Sequence, residues 1–128
     1  MLSDIPISTF LSGGVDSSLV TAICAKKLQK EGKNLNTFSF DFVNNHKYFK
    51  SNAFQPSEDR PWVDKMVDHA KTDHRYLECD NENMIENLYK AVDARDLPCM
   101  ADVESSMLYF CSKVVKYNKV TLTGDVCR

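Results

Sequence analysis

The chain has 128 residues, a formal net charge of −2 and 27% charged side chains, which is the size of one domain able to bury a core. Because charges of both signs are interspersed, no basic face indicates nucleic acid as a partner. The first residues are too polar for a signal peptide and no apolar run approaches the length of a membrane span, so we expect no membrane partner.

The five cysteines are scattered and lack the spacing of a zinc or redox site. No pair forms a Cys-x-x-Cys motif, and the three histidines form no ligand pattern with them. Reduced, structural thiols are typical of a cytoplasmic protein, which is the location we predict. Cys111, beside Phe110 in a predicted helix, is expected to lie in the core rather than to act as a nucleophile.

Extended and helical patterns alternate along the chain. Strands are predicted over residues 5–11, 35–42, 74–79 and 119–123. Helices are predicted over residues 16–29, from Pro61 to about residue 70, over 84–92 and over 103–117. Residues 43–58 match neither pattern and are predicted to form a loop. On the first helix, the apolar residues predicted to share one face are Leu19, Val20, Ile23, Cys24 and Leu28.

Strands that alternate with helices require crossover connections. We therefore predict an α/β fold, with a parallel sheet and helices on both faces. Ligands of such sheets bind at the carboxyl ends of the strands. The loop after the first strand, Asp41 and Gly124 are predicted to meet at that edge.

The loop over residues 12–18 reads Ser-Gly-Gly-Val-Asp-Ser-Ser and stands between the first strand and the first helix. Its adjacent glycines allow close approach of an anion, and its amides and hydroxyls can donate to phosphate oxygens at a helix N-terminus. Asp16 is its one carboxylate, which indicates magnesium between that group and a polyphosphate. The spacing is neither Walker A nor Gly-x-Gly-x-x-Gly.

This loop resembles the PP-loop of ATP pyrophosphatases, which cleave ATP between the alpha and beta phosphates. Together with Ser3-Asp4-Ile5-Pro6, Thr37-Phe38-Ser39-Phe40 and Leu122-Thr123-Gly124-Asp125, it resembles the synthetase domain of glutamine-hydrolysing asparagine synthetases. GMP synthetase, NAD synthetase and the tRNA-lysidine enzymes share the loop but not the other segments. The implied fold is the three-layer sandwich of the adenine nucleotide alpha hydrolase-like (HUP/PP-loop) proteins, here incomplete.

The resemblance implies ATP and Mg²⁺ as cofactors and ATP, aspartate and ammonia from glutamine as small-molecule substrates. In that family, aspartate attacks ATP to give beta-aspartyl-AMP and pyrophosphate, and ammonia then yields asparagine. Asp16 is the implied metal ligand, and Asp16 and Asp125 are the implied catalytic residues. The residues implied to bind the nucleotide are Leu11, Ser12, Gly13, Gly14, Val15, Asp16, Ser17, Ser18, Phe40, Thr123 and Gly124.

The chain also departs from the family pattern. The last family motif reads Gly-acidic-x-Ala-Asp-Glu, whereas here Gly124-Asp125 continues as Val126-Cys127-Arg128. Ala101 and Asp102 stand near the position of an expected arginine of the aspartate pocket, and no glutaminase domain is expected. We predict that residues 1–128 form one partial domain that binds nucleotide without turnover, with self-association or a homodimer. The alternatives are a catalytically silent nucleotide-binding fragment and another PP-loop adenylating enzyme of the GMP, NAD or beta-lactam synthetase type.

Overall fold

A computed structural model describes residues 5–43, 58–97 and 100–124 of the chain. The predicted 43–58 loop lies, except for its two end residues, outside the described residues. Strands and helices follow one another in the order β1 (Ile7–Phe10), α1 (Val15–Lys30), β2 (Asn36–Phe42), α2 (Arg60–Ala70), β3 (Asp73–Cys79), α3 (Asn81–Arg95), α4 (Ala101–Val114) and β4 (Val120–Leu122). Each predicted strand and helix is present, with ends that differ by a few residues.

The four strands form one parallel sheet in the order β3-β2-β1-β4. Thr9 of β1 pairs with Thr37 of β2 on one side and with Leu122 of β4 on the other. The chain moves outward from β1 to β2 and β3, then returns to place β4 on the opposite side of β1. The strand order therefore reverses between β1 and β4, which is where open α/β sheets bind ligands.

Helices cover both faces of the sheet, as predicted. On one face, α1 and α2 pack around a cluster formed by Ile7, Cys24, Ala25, Leu35 and Ala70. On the other face, α3 and α4 pack over a second cluster that contains Cys79, Tyr109 and Phe110, with Phe40 and Leu77 of the sheet against it. The three layers confirm the predicted α/β class.

The buried face of α1 is the predicted one only in part: Cys24 lies in the first cluster and Val20 and Leu28 pack against it, as predicted. Leu19 and Ile23 are 58% and 61% exposed, whereas Ser17, Thr21, Cys24 and Ala25 are buried. The hydroxyl groups of Thr9 and Thr21 share a buried hydrogen bond of 2.9 Å, which fixes this face of the helix toward β1. Small side chains let the helix approach the sheet closely, so α1 turns two of its larger aliphatic residues outward.

The described cysteines occupy two kinds of environment. Cys24 and Cys79 are buried and Cys111 is exposed. The prediction of a core position for Cys111 is therefore wrong: Phe110 turns into the core, and the next residue faces a shallow groove between α3 and α4. Burial raises the pKa of the Cys24 and Cys79 thiols and keeps them protonated.

Candidate functional site

A cavity of about 210 Å³ lies at the carboxyl edge of the sheet. The ends of β1 and β2, the residues after β4, and the helices of both layers form its walls. It therefore lies where the strand order predicts a ligand. The lining residues are Phe10, Leu11, Ser12, Ser17, Phe38, Ser39, Phe40, Asp41, Glu58, Asp59, Arg60, Val63, Tyr76, Met107 and Gly124.

The loop over residues 12–18, called the phosphate loop below, turns sharply out of β1 into α1. Gly13 has φ +80°, in the left-handed region that favours glycine. A Cβ at Gly13 would lie 3.0 Å from the Asp59 carbonyl oxygen and 3.1 Å from the Trp62 Cβ. The loop thus packs directly against the first turn of α2, and residue 13 needs glycine for both reasons.

The hydroxyl of Ser17 holds the phosphate loop together. Its Oγ lies 3.0 Å from the Ser12 Oγ, accepts from the Ser12 N–H at 3.3 Å and donates to the Gly14 carbonyl at 3.2 Å. Ser17 is buried, whereas Ser12 is exposed at the cavity wall. Ser17 therefore shapes the loop from inside, and the Ser12 hydroxyl faces the cavity.

Gly124, after β4, touches the N-terminus of α1. A Cβ at this position would lie 2.6 Å from the Ser17 nitrogen and 2.9 Å from the Asp16 carbonyl carbon. These are backbone atoms that cannot move aside, so only glycine fits. The contact joins the end of β4 to the first turn of α1 at the switch point and keeps the first helical amides close to the cavity, where an anion is favoured.

The backbone of Leu11 already has partners within the fold. Its N–H donates to the Phe38 carbonyl at 2.9 Å, and its carbonyl accepts from the Ser39 hydroxyl. A carbonyl oxygen has two lone pairs, so one further donor can still bind there. A nucleobase held by Leu11 would therefore use that remaining lone pair.

Phe40 forms an apolar wall of the cavity. Its ring stacks on Phe110 at 4.0 Å between centroids and meets Phe10 edge-on at 4.7 Å. These aromatic contacts tie the end of β2 to α4. The cavity therefore has an apolar side beside its polar loop, a combination that suits a nucleoside with attached phosphates.

A charged group that the sequence analysis missed lies on the β2–β3 side of the cavity. The Arg60 guanidinium is 4.3 Å from the centre of the Tyr76 ring, and its Nη1 is 3.7 Å from the Asp41 Oδ2. The Tyr76 hydroxyl donates to Asp64 at 2.6 Å. Burial, with that hydrogen bond, raises the pKa of Tyr76 and keeps the phenol protonated. Only Asp41 of this group was predicted at the edge.

His74 lies behind this group on β3. Its Nδ1 is 2.9 Å from the Thr37 Oγ1, and its ring meets Tyr76 edge-on at 4.6 Å. Burial lowers the pKa of His74; the Asp64 carboxylate opposes the shift and Arg60 adds to it. A neutral imidazole that packs against the sheet is structural, and it does not line the cavity.

The remaining predicted site residues lie beside the cavity rather than in its wall. Gly13, Gly14, Val15, Asp16, Ser18 and Thr123 are absent from the lining, and Val15 is 84% exposed. Asp125 lies outside the described residues. Asp16 occupies the first turn of α1 with its side chain exposed.

Asp16 is the one carboxylate of the phosphate loop and the candidate ligand for Mg²⁺. Within residues 5–43, 58–97 and 100–124, no three His, Cys, Asp or Glu side chains converge as metal ligands. Mg²⁺ that accompanies a nucleotide commonly uses one or two carboxylates, with phosphates and waters as its other ligands. Asp16 could therefore hold Mg²⁺ only as such a single carboxylate, with phosphates and waters as the other ligands.

The chain is similar to known proteins in sequence and in fold. Over 126 residues the chain is 46% identical to asparagine synthetase [glutamine-hydrolyzing] 3 of Bacillus subtilis, a match that covers 98% of this chain and 20% of that protein. A solved structure described as a predicted subunit of tRNA methyltransferase from Methanocaldococcus jannaschii aligns with TM-score 0.53 at 14% identity, over 94% of this chain and 53% of that one. This second likeness concerns the fold alone.

Among the described residues, no helix is long and apolar enough to cross a membrane.

The chain spans about a fifth of the length of the Bacillus relative. The family model for asparagine synthase matches residues 1–126, which include the phosphate loop, Phe40 and Gly124. The chain therefore belongs to the asparagine synthase family.

Proposed function

We propose that this chain is the nucleotide-binding part of an ATP-dependent asparagine synthetase. The observation that carries the proposal is the convergence of Ser12, Ser17 and Gly124 with the aromatic wall at Phe40, at the switch point of the sheet, in a chain of this family. The family match favours this reaction over those of the GMP, NAD and beta-lactam synthetase types.

In this proposal, ATP lies along the carboxyl edge with its phosphates on the phosphate loop. The Ser12 hydroxyl and the amides that open α1 would donate to phosphate oxygens, and the helix dipole would favour their charge. Glycines at positions 13 and 124 would keep side chains out of the space between the loop and its neighbours. The adenosine would lie against Phe40, near the Leu11 carbonyl.

Asp16 would hold the magnesium ion that accompanies the phosphates, since it is the carboxylate of the loop. Magnesium, when bound, offsets the charge that develops as pyrophosphate leaves. The protein would add position and fixed charge, because phosphoryl transfer requires little covalent help from side chains.

The proposed reaction activates aspartate as beta-aspartyl-AMP with release of pyrophosphate, and ammonia derived from glutamine then gives asparagine. We propose that residues 1–128 alone bind nucleotide in the cytoplasm but do not turn it over. The described residues present candidates for ATP binding and one candidate metal ligand, Asp16, and among them no three possible metal ligands converge.

Binding can be tested by nuclear magnetic resonance with magnesium-ATP and with pyrophosphate. We expect the amide resonances of Gly13, Gly14 and Ser17 to shift, and Asp16→Ala to weaken the response. Asp93→Ala, which removes an exposed carboxylate of α3, is the matched control. A response confined to resonances far from the phosphate loop would contradict the proposal.

Turnover can be tested by exchange of labelled pyrophosphate into ATP in the presence of aspartate. We expect no exchange by the 128 residues, because each misplaced or missing group commonly costs about a hundredfold or more in rate. A chain of the family that carries the whole synthetase domain, assayed in parallel, should exchange. Robust exchange by the 128 residues would show that Asp16 and Asp125 suffice.

A further inference from the structure

The charges around the cavity are unbalanced. Among its described lining residues, Asp41, Glu58 and Asp59 are acids and Arg60 is the one cation. A polyphosphate that enters such a cavity would be repelled by three carboxylates. A positive charge in the wall would therefore contribute strongly to binding it. Ser12 and Ser17, the phosphate-loop residues in the lining, are uncharged and leave the net charge of the cavity wall negative.

Arg60 is placed close to the phosphate loop by its helix. It begins α2, and the neighbouring Asp59 and Trp62 are the residues against which Gly13 packs, at 3.0 and 3.1 Å from an added Cβ. Phe10 pairs with Phe38 in the parallel register of β1 and β2. Asp41, the ion-pair partner of Arg60, lies three residues beyond Phe38 on β2 and lines the same cavity as Ser12 of the phosphate loop.

The Arg60 guanidinium is held in place, and its contacts do not use all of its N–H donors. One face lies over the Tyr76 ring, and that ring is itself fixed by the hydrogen bond to Asp64. The Asp41 oxygen at 3.7 Å is within ion-pair range but too far for a hydrogen bond. A guanidinium has five N–H donors. Tyr76, through its ring and a side-chain hydrogen bond, and Asp41 engage only some of them, so donors remain for a ligand.

We propose that Arg60 is a phosphate-binding residue of this cavity, and that its guanidinium donates to the polyphosphate oxygens of the bound nucleotide. The inference rests on the proposed function, which puts a polyphosphate on the neighbouring loop. Arginine suits this task because its planar fork matches phosphate geometry and stays charged. Tyr76 is the positioning residue, since its ring packs against one face of the guanidinium.

Arg75 offers a matched control for the experiment. Its guanidinium also lies over a tyrosine ring, that of Tyr117, at 4.8 Å, but Arg75 does not line the cavity. Arg60→Gln and Arg75→Gln therefore remove the same charge and the same kind of stacking at two places. Titration calorimetry of each variant with magnesium pyrophosphate, adenosine and L-aspartate measures the affinity for the phosphate, nucleoside and amino-acid parts separately.

We expect Arg60→Gln to weaken pyrophosphate binding roughly tenfold to a hundredfold, the range for loss of charged hydrogen bonds. Adenosine binding should stay unchanged, Arg60→Lys should recover part of the affinity, and Arg75→Gln should bind like the wild type. Arg60 is half exposed, so the variant should fold, which dispersion of its amide resonances would verify.

The inference is overturned if Arg60→Gln binds pyrophosphate as tightly as the wild type does. It is also overturned if the same variant loses adenosine or aspartate affinity to an equal extent, because the arginine would then serve another part of the ligand or the fold. A wild-type chain that binds no pyrophosphate would overturn the proposed function together with this inference. The first two outcomes leave the proposed function standing.

Discussion

Gly124 and Ser17 are in direct backbone contact, although 106 other residues separate them in the chain. A Cβ at Gly124 would stand 2.6 Å from the Ser17 nitrogen. The contact closes the carboxyl edge between β1 and β4 and sets the first turn of α1 beside the cavity. The phosphate loop is therefore shaped by residues from both ends of the described chain.

Gly124→Ala should destabilise the fold and weaken pyrophosphate binding. The added methyl group would meet backbone atoms that can move only with α1 or β4, which costs about 1–3 kcal/mol of unfolding free energy. Urea unfolding measures this loss. Gly14→Ala is the control, because its Cβ would have an ordinary contact of 3.5 Å with the Ser12 hydroxyl. Equal stability of the two variants would contradict the contact.

Ser17→Ala should lower stability by about 1–3 kcal/mol, because the change leaves partly buried partners of that hydroxyl without a hydrogen bond. The affected groups are the Ser12 hydroxyl and N–H and the Gly14 carbonyl. Thermal and urea unfolding give the magnitude. Ser18→Ala, one residue further along α1, should cost less; a larger loss for Ser18→Ala would show that Ser17 is not the organising hydroxyl.

Stability should fall as the pH falls below about 6.5, and His74 should contribute to the fall. Burial lowers the folded-state pKa of His74, so the unfolded chain takes up the proton first and is favoured as the pH drops. Asp64 and Arg60 of α2 and Tyr76 of β3 are the neighbouring titratable or charged groups. The contribution cannot exceed about 1.4 kcal/mol per pH unit for one proton.

Urea unfolding between pH 5 and 8 measures this dependence. His74→Gln should flatten the profile, and His69→Gln, which changes an exposed histidine of α2, is the control for loss of a histidine side chain. A profile of His74→Gln that keeps the wild-type slope would rule out the assigned role.

Self-association should involve the outer face of α1. Val15, Leu19 and Ile23, each four residues apart, form an exposed apolar row, and such surfaces tend to find partners. Sedimentation velocity at increasing concentration should show reversible association of the wild type. The double change Leu19→Gln with Ile23→Gln should reduce it, and Lys26→Gln on the same helix should not. A wild type that stays monomeric at high concentration would contradict this prediction.

Much of the site could be anticipated from the order of residues alone. The Ser-Gly-Gly-x-Asp-Ser pattern between a strand and a helix indicates a phosphate loop because its residues are local to one another. The alternation of strands and helices indicates a parallel sheet, whose carboxyl ends must share one edge. On that ground the sequence alone predicts Asp41 and Gly124 near the loop, and both line the cavity.

Long-range packing decided the rest. Periodicity predicts an apolar face on α1, but the Thr9–Thr21 hydrogen bond and the close approach of small residues determine that Leu19 and Ile23 face outward. The pairing of Arg60 with Tyr76 depends on how α2 lies across β3, and no spacing in the sequence records it. Local pattern specifies which segments are helix, strand or loop, whereas side-chain contacts between distant segments decide which residues enter the cavity.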